Sequence, residues 1–483
     1  MTGLVLTGAG NVEMTRRILS DLLVLPEIGG TLRVVLHDID PERLATAEAL
    51  ARALNAETGG RAVIEAHRDR LRALEGADHV VCQLSVGDYE TTLRDFEIPH
   101  RYGVHQTIAD TIGIGGIFRG LRTIPVLVDL ARDMTELCPD AWLLSYTDPL
   151  VMTLWAVRET TGLRNVAGVC HAVRETHAAL ADLVGREASE IDFVTAGITH
   201  QAFVLRFDAD GRSLYPELAD AVAADPRLDR HVRTELWRYL GYYPTESSEH
   251  AAEYVPWFLR HDTEIARLNL PIGEYLGRAA QNLHFYEEIR RGLAANRPML
   301  TRWQDPEIAS EVLIALITGE ERRTNLTVAN EGLIPQLPAE CFVEVPSVIN
   351  AQGITPTPIE NYPPQLAALN RSYLSVAELT MRAALEQNVD HVLHAAILDP
   401  NTAATLTLPE ITSLCREMLD AHRDLLPWTA QPFSAGPGHG PTSTRVRTST
   451  RTSTSTSSTR TTSTRTSTNT SSTRTSTSPK DAK

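Results

Sequence analysis

Strand-like and helix-like segments alternate through the first half of the chain, and this alternation constrains the fold more than any other feature. Leu4–Thr7, Leu32–Leu36, Val63–Ala66, His79–Leu84, Ala141–Ser145 and Val166–Val169 are apolar runs of strand length. Between them Asn11–Leu23, Pro41–Leu54 and Leu121–Leu137 carry helical spacing, and Arg174–Val184 follows the last strand. The order predicts an α/β fold, a mostly parallel, doubly wound sheet with helices on both faces.

The second half reads differently. Leu228–Leu240, Ile265–Leu268, Arg278–Leu293, Pro306–Thr318, Val376–Asn388 and Ile411–Leu425 have helical spacing, against a single strand pattern at Cys341–Val345. A second, α-rich α+β domain is expected, with the boundary near Ile198–Phe207. The division is then 1–197, 198–433, and a tail from 434 to 483 that is almost entirely Ser, Thr and Arg. The tail has no apolar periodicity to offset the entropy of ordering, so it is expected to be disordered.

Charge separates the tail from the body. Residues 441–483 carry +7, and residues 1–440 carry −23 of the chain's net −16. An acidic body of this kind is a poor partner for phosphate backbones, so no nucleic acid is expected on it. No apolar run approaches a membrane span. Five scattered cysteines and an N-terminus that opens on Leu4-Val5-Leu6 without a leader-like basic region point to a soluble, cytoplasmic protein.

Four segments carry chemistry-bearing residues. Gly8-Ala9-Gly10 ends the first strand and precedes Asn11 and a helix, where glycines permit either a tight turn alone or close approach to a pyrophosphate. The third glycine of the dinucleotide fingerprint is replaced by Glu13. Asp38 ends the second strand, the position from which an acid reads ribose hydroxyls and disfavours an added phosphate. Cys170-His171 follows Val166–Val169, and His200 follows the run Phe193–Thr199. A thiolate and an imidazole at strand ends suit a borderline metal, although a buried structural cysteine beside an incidental histidine has the same local sequence. Thr107–Gly116 is a glycine-rich turn before Arg119 and Arg122, and Tyr242–His250 is a loop dense in acid–base groups.

In combination these segments resemble the NAD-dependent glycoside hydrolases of family 4, in particular their α-galactosidase branch. The resemblance is carried by Gly8-Ala9-Gly10, Asp95-Phe96-Glu97, Gln106–Thr111, Gly115-Gly116-Ile117 and Arg119–Pro125. It continues through Tyr146–Pro149, Gly168–His171, Ala196–Ile198 with His200, Thr245–His250 with Ala252-Glu253-Tyr254, Asn330–Ile334, His394-Ala395-Ala396 and Thr402-Ala403. It spans about residues 1–430.

The resemblance implies a Rossmann-type domain holding NAD through Gly8, Gly10, Asn11 and Asp38, next to a Mn²⁺ ion bound by Cys170 and His200. Family members acting on phosphosugars carry Asp or Asn after the cysteine, so His171 implies an unphosphorylated glycoside. The implied reaction oxidises C3 of the sugar, removes the C2 proton, eliminates the aglycone, adds water and returns the hydride. His171 stands where relatives carry the general acid. Asp110 stands where an acid supports the base. The base itself falls among Tyr243, Glu246 and Glu249. Asp148 occupies a sugar-contacting position that is asparagine in relatives, and Thr199 and Ala172 also depart from the branch pattern. A homodimer or homotetramer is implied as well. Three activities remain open on the residues: hydrolysis of α-galactosides, with α-glucosides or α-glucuronides as variants; net dehydrogenation of the malate/lactate type; and nucleotide binding without catalysis.

Overall fold

The computed structural model describes residues 1–303, 305–431 and 433; the tail expected to be disordered lies outside them. Six parallel strands open the chain: β1 (Thr2–Thr7), β2 (Leu32–His37), β3 (Val63–His67), β4 (His79–Cys82), β5 (Trp142–Ser145) and β6 (Val166–Gly168). They lie side by side in the order β3-β2-β1-β4-β5-β6, with register running from Leu4 opposite Val34 and His79. Their interiors are buried on both faces, which explains why β1, β2 and β4 read as unbroken apolar runs rather than alternating ones. The order reverses between β1 and β4, and a crevice is expected at that point, beyond the carboxyl ends of the strands.

The second half is rich in helices as expected, but it holds more than the single strand expected there. Seven further strands are present: β7 (Asp192–Ile198), β8 (Gln201–Ala209), β9 (Arg212–Ser213), β10 (Tyr243–Pro244), β11 (Arg322–Ala329), β12 (Phe342–Asn350) and β13 (Gly353–Pro356). They continue the same sheet antiparallel, in the order β6-β11-β12-β7-β8-β10, with β13 beside β12 and β9 beside β8. Arg322-Arg323-Thr324-Asn325 leaves β11 half-exposed at its start, so the strand carries no apolar run to reveal it. Two junctions are narrow. β6 meets β11 at the single pair Gly168–Thr327, and β7 meets β12 at Gly197–Glu344.

Helix Gly113–Leu137 is buried along most of its length and packs against helices Leu150–Thr161 and Pro364–Glu386. Its entry depends on glycine. A Cβ on Gly115 would lie 2.6 Å from that of Ala109, and one on Gly116 would lie 2.6 Å from the Thr111 carbonyl carbon. The loop Thr107–Thr111 can therefore lie flat against the helix start. Among the described residues no helix is long and apolar enough to cross a membrane.

Candidate active site

A cavity of about 1140 Å³ runs along the carboxyl ends of the parallel strands, lined by the loops after β1, β2, β4, β5 and β6. Its first part is a glycine cradle. Gly8 has φ +79°, and a Cβ there would lie 2.8 Å from the Gln83 carbonyl oxygen. A Cβ on Gly10 would lie 2.6 Å from Asp38 Oδ2 and 2.7 Å from Arg43 Cβ. The Asp38 carboxylate is fixed by the backbone N–H groups of Gly10 (2.8 Å) and Asp40 (2.9 Å). Asn11 caps helix Val12–Leu23 by accepting from Met14 N at 3.4 Å. Free N–H groups at a helix start, glycines that admit close approach and an acid at the next strand end fit a dinucleotide.

Deeper in the cavity, ligand atoms of Cys170, His200 and Glu246 all lie within 4.8 Å of one another, as do those of Asp110, His200 and His250. Cys170 stands two residues beyond β6. His200 occupies a two-residue turn between Ile198 and Gln201, held at φ +69°, and its ring lines the cavity. His250 Nδ1 is 3.4 Å from Glu246 Oε1, and its Nε2 is 3.7 Å from Asp110 Oδ1. The Thr111 hydroxyl donates to Asp110 Oδ1 at 2.7 Å and lies 2.8 Å from His200 Nδ1. Buried Glu253 accepts the successive N–H groups of Thr107 (2.7 Å), Ile108 (3.0 Å) and Ala109 (3.0 Å), a nest that fixes the loop ending at Asp110.

This region is crowded with carboxylates. Asp148 is pushed up to about 6, chiefly by burial. Glu344 is 1% exposed with neither oxygen hydrogen-bonded, and burial raises it to about 7. Burial, together with Glu246 and Glu344, drives the Cys170 thiol well above its ordinary value. Burial alone would lower His200 and His250, but the surrounding carboxylates outweigh it and raise both. A divalent cation would offset the crowded carboxylates, and a sulfur, nitrogen and oxygen donor set suits a borderline metal.

On another wall, His171 Nε2 lies 2.5 Å from Glu307 Oε1, and the same oxygen accepts from the Tyr146 hydroxyl at 2.6 Å. The Arg17 guanidinium stands 3.3 Å from Oε2. Burial would raise Glu307, but His171, Tyr146 and Arg17 hold it down at about 2.

The cavity thus gathers Gly8, Gly10, Asn11, Asp38, Asp110, Asp148, Cys170, His171, His200 and Glu246. Tyr243 and Glu249 are not among its lining. The Tyr243 ring packs beside Trp237 and Arg233, within the apolar cluster of Phe207 and Leu218. The backbone carbonyl of Glu249 accepts from the Thr107 hydroxyl. His250 and Glu307 were not singled out in the sequence. His250 lay inside a segment already marked, four residues after Glu246. Glu307 follows a proline at a helix start and carries no local signal.

The profile of the family 4 glycosyl hydrolases matches residues 3–186, and that of the family's C-terminal domain matches residues 195–402. An α-galactosidase from Bacillus subtilis is 39% identical over 87% of this chain and 98% of its own length. Another, from Rhizobium meliloti, is 32% identical over 89% and 90%. In three dimensions the chain is similar to a 6-phospho-α-glucosidase from gut microorganisms, solved with NAD and Mn²⁺. The TM-score is 0.75 at 19% identity, covering 88% of this chain and 98% of that one. Net dehydrogenation and binding without catalysis therefore give way to hydrolysis. The chain belongs to family 4 of the glycosyl hydrolases and is a glycoside hydrolase furnished for NAD and a metal ion.

Proposed function

We propose that this enzyme hydrolyses unphosphorylated α-galactosides in a redox-neutral reaction that needs both NAD⁺ and Mn²⁺. The observation that carries the sugar is the 39% identity to an α-galactosidase across almost that enzyme's whole length. The cavity chemistry supports a neutral sugar. Arg119 donates to the Tyr275 hydroxyl at 2.6 Å and Arg278 is bound to Glu274 at 2.5 Å, while Asp110, Asp148 and Glu246 line the same space. A phosphate or uronate there meets like charge. A galactoside brings only hydroxyls.

When bound, NAD⁺ would supply reversible hydride chemistry at the sugar's C3, and the metal would supply Lewis-acid polarisation of the sugar's oxygens. In this reading Gly8, Gly10, Asn11 and Asp38 hold the dinucleotide, and Cys170, His200 and Glu246 hold the metal. His250, backed by Asp110, takes the C2 proton. His171 gives a proton to the glycosidic oxygen as the bond to C1 breaks, and the aglycone leaves as an alcohol. Water then adds to C1, its proton returning to His171, and C2 regains its proton from His250. Asp148 contacts the sugar and presents only acceptors when ionised, where asparagine also donates. Five free cysteines support a cytoplasmic setting, and the family resemblance supports a homodimer or homotetramer.

The test is p-nitrophenol release from α-galactoside, α-glucoside and α-glucuronide substrates, with reductant, with and without NAD⁺ and Mn²⁺. Release that needs both additives, fastest on the galactoside and without accumulating NADH, is expected. Faster release from another sugar overturns the assignment of substrate, and release indifferent to both additives overturns the mechanism.

A further inference from the structure

His171 lines the cavity, and its Nε2 is engaged by Glu307. Glu307 belongs to the second half of the chain, 136 residues further on, and its side chain is fully buried. Its Oε1 gathers three donors: His171 Nε2, the Tyr146 hydroxyl, and Ile308 N at 3.1 Å. Tyr146 is itself fixed, since its oxygen accepts from Ala309 N at 2.9 Å and its ring stacks on His171 at 5.8 Å between centroids. Among the described residues His171 Nδ1 has no protein partner.

We propose that Glu307 is the positioning residue for His171, fixing its ring and assigning its protons: Nε2–H goes to the carboxylate, and Nδ1 is left as the atom that meets the glycosidic oxygen. This rests on the reading of His171 as the acid. The arrangement is that of an imidazole oriented by a buried carboxylate, where the carboxylate touches neither substrate nor cofactor and acts only through the ring. Arg17 keeps Glu307 ionised from the other side, and Arg17 lies on helix Val12–Leu23, which begins at the glycine cradle. Orientation of the acid and the start of the dinucleotide site therefore share one buried anchor.

Glu307 also caps the helix Ile308–Thr318, so loss of activity alone does not separate positioning from folding. The leaving group does. A nitrophenolate departs with little help, whereas an alkoxide must be protonated, so damage to proton delivery falls selectively on alkyl galactosides. The experiment compares kcat/KM on p-nitrophenyl and methyl α-galactoside for wild type, His171→Ala, Glu307→Ala and Glu307→Gln, each loaded with NAD⁺ and Mn²⁺. We expect His171→Ala and Glu307→Ala each to lose at least ~10-fold more on the methyl glycoside than on the nitrophenyl one. Glu307→Gln keeps an acceptor and a cap, so it should show the same split at smaller size; it carries the test if the alanine variant does not fold. Equal losses on both substrates in the Glu307 variants, with the split kept in His171→Ala, overturn the inference and leave the acid reading standing. No split in His171→Ala overturns the acid reading itself.

Discussion

Thr111 and His200 meet through a single hydrogen bond, Oγ1 to Nδ1 at 2.8 Å. A hydroxyl has one proton, and Thr111 gives it to Asp110 Oδ1. Towards His200 it is therefore an acceptor, so the imidazole carries its proton on Nδ1 and presents a lone pair at Nε2. Thr111→Val should weaken Mn²⁺ binding by ~10–100-fold, and Thr111→Ser should restore most of it. The measurement is the Mn²⁺ concentration at half-maximal activity. An unchanged midpoint in the valine variant would remove Thr111 from the metal's support.

Cys170 supplies the one soft donor in the cluster. Cys170→Ser should lower activity by ~100-fold or more at limiting Mn²⁺, with part of the loss recovered at high metal concentration. Wild-type enzyme should lose activity on mild oxidation and regain it with reductant. A serine variant as active as wild type at every metal concentration would be incompatible with a metal thiolate.

The metal-free protein should become less stable as pH rises from about 5.5 to about 8. Asp148 (about 6) and Glu344 (about 7) stand above the ordinary carboxylate range, so the folded state favours their neutral forms and loses that preference as pH rises through those values. His200 and His250 are also raised; their protonated forms favour the fold below the ordinary histidine value, and the gain disappears above the folded value. Both effects have one sign. The melting temperature without metal should fall across this interval, and the rise produced by Mn²⁺ should be larger at the alkaline end. A flat or rising profile would contradict it.

Gly10→Ala forces a Cβ to within 2.6 Å of Asp38 Oδ2 and 2.7 Å of Arg43 Cβ. The carboxylate must move, so NAD⁺ affinity should drop by ~10-fold or more with the fold intact. Quenching of protein fluorescence by NAD⁺ reads the affinity, and circular dichroism reads the fold. Unaltered affinity would place the dinucleotide elsewhere.

The parallel half of the sheet was legible because strands buried on both faces must be apolar throughout, as Leu4-Val5-Leu6 and Val80-Val81 are. Gly8, Asp38, Cys170 and His200 were legible for a related reason: they stand at strand ends, where the local pattern itself marks the crevice. β11 was not, because Arg322–Asn325 is polar and the strand's pairing is decided by distant β12. Glu307 was hidden likewise. Its role depends on a contact 136 residues away, and nothing in Asp305-Pro306-Glu307 announces it. The acid–base loop was marked, but which of its side chains face inward is set by two elements: helix Ser248–Glu253 buries His250, and the pairing of β10 with β8 leaves Tyr243 with Trp237.

The two narrow junctions of the sheet lie beside the residues that carry the metal cluster. Gly168, the one β6 residue paired with β11, is two residues from Cys170; Gly197, the one β7 residue paired with β12, is three from His200. The ladder between β11 and β12 themselves is long. The strands that lead to the sulfur and the imidazole are thus each joined to the β11–β12 pair by one residue pair, while β5 and β8 hold their other sides, so compliance is confined to the seam facing β11 and β12. Small adjustments of ligand spacing cost no ladder there, and an ion gripping both residues would close the seam that the hydrogen bonds leave loose.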